Sequence, residues 1–258
     1  GIFYKSKIKS VKVGYLTASD ENYLIGSSRT SDNIILTLLR NKLYEHSLRP
    51  EELLDGDIEA ILIFLRNTSF GPEYIINLTD PQTNKPFTTT ILLDELNIKK
   101  TEFKPDEDGT FTTKLPKSGV TVKLRPTNLS DTVDLDKMES EYPQGRQFPK
   151  ITLKLLKHVI EVDGNTDRSK ISSFIDTLPI MDSKYIRTFL RDNEPSLDLK
   201  RTATAPSGEL VSFEITFGVE FFRVFFWLRL LSVRRIFRFS KKFTHILDRF
   251  YENAYICS

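Results

Sequence analysis

The sequence predicts an α+β fold with two related lobes, each a helical unit closed by a β-hairpin, followed by a C-terminal basic amphipathic helix. Three observations predict it: a helical segment occurs twice, a pair of strand-like segments joined by a turn follows each copy, and the composition changes near residue 222. Helices combined with separate antiparallel hairpins are typical of α+β domains. We expect lobes at residues 1–100 and 101–222, and the helix within 223–258.

The repeated segment is the strongest of these signals. "DIEAILIFLRNTSF" begins at Asp57, and "DSKYIRTFLRDNEP" begins 125 residues later. Its apolar residues recur at helical spacing, and a leading aspartate can accept hydrogen bonds from the first helical turn. A repeat of this period is typical of a supersecondary unit used twice, so we expect each helix to pack against the hairpin that follows it. The structural repeat residues are Asp57, Phe64, Leu65 and Arg66 in the first copy and Asp182, Phe189, Leu190 and Arg191 in the second.

The first half contains four further elements. "KIKSVKVGYL" alternates charged and apolar residues and predicts a half-buried strand, with Ile8, Val11 and Val13 facing inward. "SDNIILTLLRNKLYEH" predicts a helix capped by Ser31 or Asp32. A short helix begins at Pro50. After the first repeat copy, "EYIINLT" and "FTTTILL" predict a hairpin around "DPQTNKP".

The second half has a similar order. "TFTTKLP" and "VTVKLRP" predict a hairpin around residues 116–119, and helices are expected near 131–142 and 151–162. "DGNTDRSKISSF" starts like a calcium loop but lacks the required glycine and final glutamate, so we interpret it as a polar loop. The repeated helix then precedes a hairpin around residues 206–208, formed by "LDLKRTA" and "ELVSFEITF".

Composition and motifs argue against several classes of protein. The 258 residues carry a net charge of +2, and a single cysteine, Cys257, excludes an internal disulfide framework. The start of the chain lacks a signal-peptide pattern, and charged residues interrupt the longest apolar run, at 217–231, so we expect no membrane span. Three scattered histidines and the lack of nucleophile or nucleotide-binding motifs predict a protein without catalytic residues, cofactor or metal.

The C-terminal segment mixes basic and aromatic residues. Residues 223–247 contain seven Lys or Arg and no acidic residue. Three interpretations stay open: a helix packed on its own domain, a helix docked on a partner protein, or binding to nucleic acid or a membrane surface. Because aromatic and arginine side chains are enriched at interface hot spots, the expected partner-contact residues are Phe222, Trp227, Arg234, Arg235 and Arg238.

The first repeat copy and its hairpin resemble a known family. "LLDGDIEAILIFLRNTSFGPEYIINLTDPQTNKPFTTTILLDEL", "VTVKLRPTNLSD" and "ELVSFEITFGVEFF" resemble the baseplate hub and hub-assembly proteins of T-even-like tailed bacteriophages, over roughly residues 10–222. The resemblance implies a non-enzymatic phage tail protein in the virion baseplate, or in the host cytoplasm during tail assembly. It would form or assemble the central hub through contacts with other hub or wedge proteins. The alternative function is an adaptor that binds nucleic acid or a membrane through the C-terminal helix.

The sequence departs from this family at the hairpin turns. Where the family often has Cys-Pro-x-Cys, this chain has Asp80-Pro81-Gln82-Thr83 in the first copy and Ala205-Pro206-Ser207-Gly208 in the second. Zinc knuckles need thiolate or imidazole ligands, which neither turn supplies. We therefore expect degenerate knuckle-like turns that fold without zinc.

Overall fold

A computed structural model describes residues 1–26, 31–44, 48–217 and 219–222. The chain forms two compact units, each assembled from three segments. Unit 1 comprises Gly1–Ile8, His46–Ile58 and Ile98–Ser196, and unit 2 comprises Lys9–Glu45, Glu59–Asn97 and the chain from Leu197 onward. Residues of both lobes expected at 1–100 and 101–222 contribute to each unit, so the division into lobes stays a prediction from the repeat. The α+β class is confirmed: the described residues form helices and three small antiparallel sheets.

Unit 1 is built on a three-stranded antiparallel sheet in the order β3–β4–β5. Strands β3 and β4 alternate more and less buried positions, so one face carries Phe111, Val122 and Leu124 into the core. Helical residues including Leu155, Ile171 and Ile186 complete the same cluster. The elements of this unit are β3 (Phe111–Lys114), β4 (Thr121–Leu124), α4 (Leu129–Ser140), α5 (Lys150–His158), β5 (Val159–Val162), α6 (Arg168–Asp176) and α7 (Ile180–Asn193), with a 3₁₀ turn at Pro50–Glu52.

Among the described residues, unit 2 contains two separate two-stranded hairpins, three complete helices and most of a fourth. β1 (Glu73–Thr79) pairs with β2 (Pro86–Leu92), so that Glu73 lies opposite Leu92 and Thr79 lies opposite Pro86. β6 (Lys200–Thr204) pairs with β7 (Leu210–Glu214), so that Lys200 lies opposite Glu214 and Thr204 lies opposite Leu210. Helix α3 (Asp55–Phe70) starts in unit 1 and continues into unit 2, where it buries Ile61, Leu62 and Leu65. The other elements are α1 (Ala18–Gly26), α2 (Ser31–Lys42), β1 (Glu73–Thr79), β2 (Pro86–Leu92), β6 (Lys200–Thr204), β7 (Leu210–Glu214) and α8 (Val219–Phe222), with a 3₁₀ turn at Leu93–Glu95.

The helices of the two repeat copies begin at equivalent residues, Asp55 and Ile180, which are 125 positions apart. Strands β1 and β6 likewise end at equivalent residues, Thr79 and Thr204. Their packing differs from the expectation that each helix contacts its own hairpin. Helix α7 buries Ile186, Phe189 and Leu190 in the cluster with β3–β5, whereas the hairpin that follows it, β6–β7, belongs to unit 2.

Three local predictions are wrong. The opening segment forms an isolated bridge between Val13 and Leu43 rather than a strand. Residues 42–44, at and just after the end of α2, supply its pairing among the described residues, and they are too few for a strand. The expected polar loop contains α6, capped by the Asp167 carboxylate, which accepts from the Ser169 N–H at 2.9 Å. The helix expected to reach residue 162 ends at His158, because Val159–Val162 pairs with β4 as β5.

None of the helices that the structure describes is long and apolar enough to cross a membrane.

Candidate functional site

Of the five expected partner-contact residues, only Phe222 lies within the described residues. Its side chain is 6% exposed, and its ring lies 5.3 Å from that of Phe221. Trp227, Arg234, Arg235 and Arg238 lie outside the described part of the chain, as does the expected C-terminal helix. The partner contacts of these residues therefore stay predictions, with Phe222 placed in the interior of unit 2.

The two repeat aspartates occupy the same place in their helices and hold different segments. Asp57 and Asp182 are each the third residue of a helix, and both are buried. The Asp57 carboxylate accepts a hydrogen bond from the Tyr4 hydroxyl, which in turn accepts from the Leu54 N–H at 3.2 Å. The Asp182 carboxylate accepts from the N–H groups of Lys117 and Ser118 at 2.8 and 2.9 Å. Each aspartate thus fastens a distant segment to a helix N-terminus, where a negative charge is favourable.

The Asp57 carboxyl gives unit 1 a defined pH dependence. Burial raises its pKa to about 6, against the Tyr4 hydrogen bond, which lowers it. The folded state therefore binds its proton near pH 6 and the unfolded state near pH 4, so this group contributes stability at low pH that is lost as the pH rises through 6. We expect Asp57→Asn to remove a contribution that changes by about 3 kcal/mol between pH 4 and pH 7.

The measurement is chemical denaturation of wild type and Asp57→Asn at a series of pH values. The difference between their unfolding free energies should rise in favour of the wild type as the pH falls from 7 to 4. Other titrating groups, such as His158, are present in both proteins and cancel in this difference. Parallel pH profiles of the two proteins would contradict the assignment.

Arg66 is the most buried charged side chain of α3, at 1% exposure. Its guanidinium donates to three main-chain oxygens: Phe221 O at 3.1 Å, Gly71 O at 2.9 Å and Glu73 O at 3.1 Å. It also lies 4.8 Å from the ring centre of Tyr74 and 5.5 Å from that of Phe221. Burial lowers the pKa of Arg66, although arginine stays charged at neutral pH. These five residues, the Arg66 cluster, join the end of α3 to the start of β1 and to α8.

The counterpart of Arg66 in the second copy lies in a different environment. Arg191 is exposed and forms an ion pair with its neighbour Asp192 at 2.9 Å. The leucines before the two arginines, Leu65 and Leu190, are both buried, at 0% and 2% exposure. Phe64 is half-buried, whereas Phe189 is 6% exposed and contacts Phe111 and Phe103. The repeat thus keeps its apolar residue pair while the arginines have different roles.

The tips of the two unit 2 hairpins are joined by one carboxylate. Asp80, at 1% exposure, accepts from the N–H groups of Gln82 and Thr83 in its own turn. It also accepts from Ser207 in the other turn, through the N–H at 3.1 Å and the hydroxyl at 2.8 Å. Ser207 follows Pro206, the counterpart of Pro81. These residues, which we call the turn junction, bring the two knuckle-like turns together.

A zinc ion does not fit this junction. Asp80 and Thr83 offer only oxygen atoms, and Ala205 and Gly208 offer no side-chain ligand. Both Asp80 oxygens already accept hydrogen bonds from protein donors. Among the residues that the structure describes, no group of three or more His, Cys, Asp or Glu could hold a metal ion.

The exposed face of the β1–β2 hairpin combines aliphatic and hydroxyl side chains with the carboxylate of Glu73 and the amide of Asn77. Ile75 pairs with Thr90 and is 64% exposed, and Leu92, its diagonal neighbour on the same face, is 38% exposed. Thr88 and Thr90 are also exposed and lie on this face. We call Ile75, Thr88, Thr90 and Leu92 the ribbon face. Its chemistry suits contact with another protein surface.

His158 is a buried histidine at the end of α5, with 4% exposure. The His158 Nδ1 lies 3.1 Å from the Arg125 carbonyl oxygen, which can only accept, so Nδ1 is the donor. Burial lowers the pKa of His158 to about 4, so the ring is neutral at physiological pH. This hydrogen bond joins the residue after β4 to the last residue of α5, so His158 has a structural role.

Comparisons with known proteins identify one family. The family model described as "T4 bacteriophage base plate protein" matches residues 2–223. No curated protein and no solved structure matches the chain. The matched region contains both repeat helices, the Arg66 cluster and the turn junction, and it ends within one residue of Phe222. The chain therefore belongs to the family of T4 bacteriophage base plate proteins.

Proposed function

We propose that the chain is a non-enzymatic protein that forms or assembles the central hub of the phage baseplate through protein–protein contacts. Membership of the baseplate family carries this proposal. The assignment to the hub rests on the resemblance of the repeat helix and its hairpin to hub and hub-assembly proteins. Hub or wedge proteins of the same baseplate are the expected partners.

The ribbon face is the contact surface that we favour within the described residues. Ile75 and Leu92 expose apolar area on the β1–β2 hairpin, while the opposite face of that hairpin packs towards Arg66 and Phe221 through Tyr74. Burial of exposed apolar side chains is a main source of affinity between proteins. A partner would therefore cover Ile75 without disturbing the fold of unit 2.

Quantitative mass spectrometry of purified virions tests the hub assignment directly. A fixed copy number per particle, together with cross-links to hub proteins, is expected of a structural subunit. Absence from virions and presence in tail intermediates of infected cells would identify an assembly factor instead. Absence from both would refute the proposal.

A pair of substitutions tests the ribbon face. We expect Ile75→Asp to reduce incorporation into tails or tail intermediates at least tenfold while the unfolding midpoint of the purified protein stays the same. Leu210→Asp is the matched control, because Leu210 is an aliphatic residue of strand β7, outside the ribbon face, with 72% exposure. Equal incorporation of the two variants would exclude the ribbon face as the contact surface.

The alternative, an adaptor that binds nucleic acid or a membrane, rests on the basic composition of residues 223–247. A chain that ends after Phe222 tests it, because this truncation retains the bond from Arg66 to the Phe221 carbonyl oxygen. Tail assembly that persists after truncation supports the hub function of the two units. Complete loss of assembly, with salt-sensitive nucleic-acid binding by the full chain alone, supports the adaptor.

A further inference from the structure

The turn junction joins two turns that occupy equivalent positions in the sequence repeat, although the repeat alone does not predict that they contact each other. Asp80 corresponds to Ala205, and Gln82 corresponds to Ser207, each 125 residues apart. The turns have related main-chain bonds: Asp80 N–H donates to Lys85 O at 2.9 Å, and Ala205 N–H donates to Glu209 O at 2.8 Å. At the position of Asp80 the second turn has Ala205, which supplies no carboxylate. We propose that the Asp80 carboxylate fastens the two hairpins to each other and takes the structural role of a metal ion at this place.

The atoms around Asp80 form a site for an anion. The Asp80 Oδ1 accepts from the Gln82 N–H, the Thr83 N–H and the Ser207 hydroxyl at 2.9, 3.3 and 2.8 Å, and Oδ2 accepts from the Ser207 N–H at 3.1 Å. All four groups direct their hydrogens at the carboxylate. A cation that bound this carboxylate would have to displace these donors, so the junction as it stands has no place for the ion that a thiolate knuckle binds.

The junction keeps its charge in the physiological range. Burial raises the pKa of Asp80, but the hydrogen bonds from Ser207, Gln82 and Thr83 together lower it by more, so the pKa lies below its usual value. The junction therefore contributes stability above that usual value and loses it as the pH falls through the lowered pKa.

The hairpins need such a fastening for a physical reason. β1–β2 and β6–β7 are separate two-stranded sheets, and an isolated two-stranded hairpin is marginally stable in water. A second bond across the tips, from the Gln82 side-chain amide to the Glu209 carboxylate, is long at 3.5 Å and exposed. The Asp80–Ser207 pair thus carries most of the polar connection between the turns.

A double-mutant cycle on the purified protein tests the fastening. We expect Asp80→Ala to lower the unfolding midpoint by several degrees and Ser207→Ala to lower it less. The double variant should have the same midpoint as Asp80→Ala. Once Asp80 is replaced, the Ser207 hydroxyl has already lost its acceptor, so its removal has no further effect. Gln82→Ala is the control and should leave the midpoint unchanged. Additive shifts of the two single variants would overturn the proposal.

Two further measurements remain informative even if Asp80→Ala does not fold. Asp80→Asn keeps one oxygen acceptor, so its midpoint should lie between those of the wild type and Asp80→Ala. If Asp80→Ala does not fold, Asp80→Asn should still fold, with a midpoint below that of the wild type. In the wild type, EDTA should leave the midpoint unchanged, and titration with zinc chloride should give no saturable binding. A midpoint that EDTA lowers and zinc restores would refute a metal-independent junction. These results concern the purified chain, so they stand apart from the outcome of the hub experiments.

Discussion

Replacement of Arg66 by Met should lower the free energy of unfolding by about 3 to 5 kcal/mol, although the two side chains have similar length and apolar stems. The substitution leaves the carbonyl oxygens of Phe221, Gly71 and Glu73 without the donor that now satisfies them. It also removes the cation that lies beside the rings of Tyr74 and Phe221. Arg66→Lys should be only partly better, because an ammonium cannot reproduce the planar fork of a guanidinium.

The repeat provides the matched control for this experiment. Arg191 is the counterpart of Arg66, but it is exposed and paired with its neighbour Asp192. Arg191→Met should therefore change the unfolding free energy by no more than about 0.5 kcal/mol. Denaturant unfolding followed by circular dichroism compares the two variants. Equal losses would mean that the three carbonyl contacts do not determine the role of Arg66.

The contrast between the two arginines marks the limit of prediction from this sequence. The spacing of apolar residues identified both repeat helices and the turn residues identified the hairpins, because these signals are local. The same "FLR" motif appears in both copies, yet whether its arginine is buried depends on Phe221, which is 155 residues away from Arg66. Periodicity within one segment contains no information about such a partner.

The candidate site was predicted less completely than the fold. The aromatic and basic composition predicts partner contacts from Phe222 onward, whereas the turn junction and the ribbon face lie in the hairpins. The sequence did contain one signal for the junction: Pro81 and Pro206 occur at the same repeat offset. That signal indicates equivalent turns, but equivalence does not imply that the turns contact each other. Likewise, Val159–Val162 was assigned to a helix because its pairing with β4 depends on distant residues.

Replacement of Leu190 by Asp should destabilise unit 1 by more than about 4 kcal/mol, enough to prevent its folding at physiological temperature. Leu190 is 2% exposed and lies in the cluster formed by β3–β5 and helices α5, α6 and α7. A carboxylate at this position has no donor among the apolar residues of the cluster. It must either lose its hydration or expose the core.

Met181→Asp controls for the added charge, because Met181 lies in the same helix and is 61% exposed. A carboxylate in this first turn also lies at the favourable end of the helix dipole, so the unfolding midpoint should stay the same or rise slightly. Leu65→Asp applies the test to the first repeat copy, whose leucine is fully buried in unit 2. Differential scanning calorimetry of the three variants measures the result. A Leu190→Asp protein with the midpoint of Met181→Asp would show that the second repeat helix does not pack into the β3–β5 core through this residue.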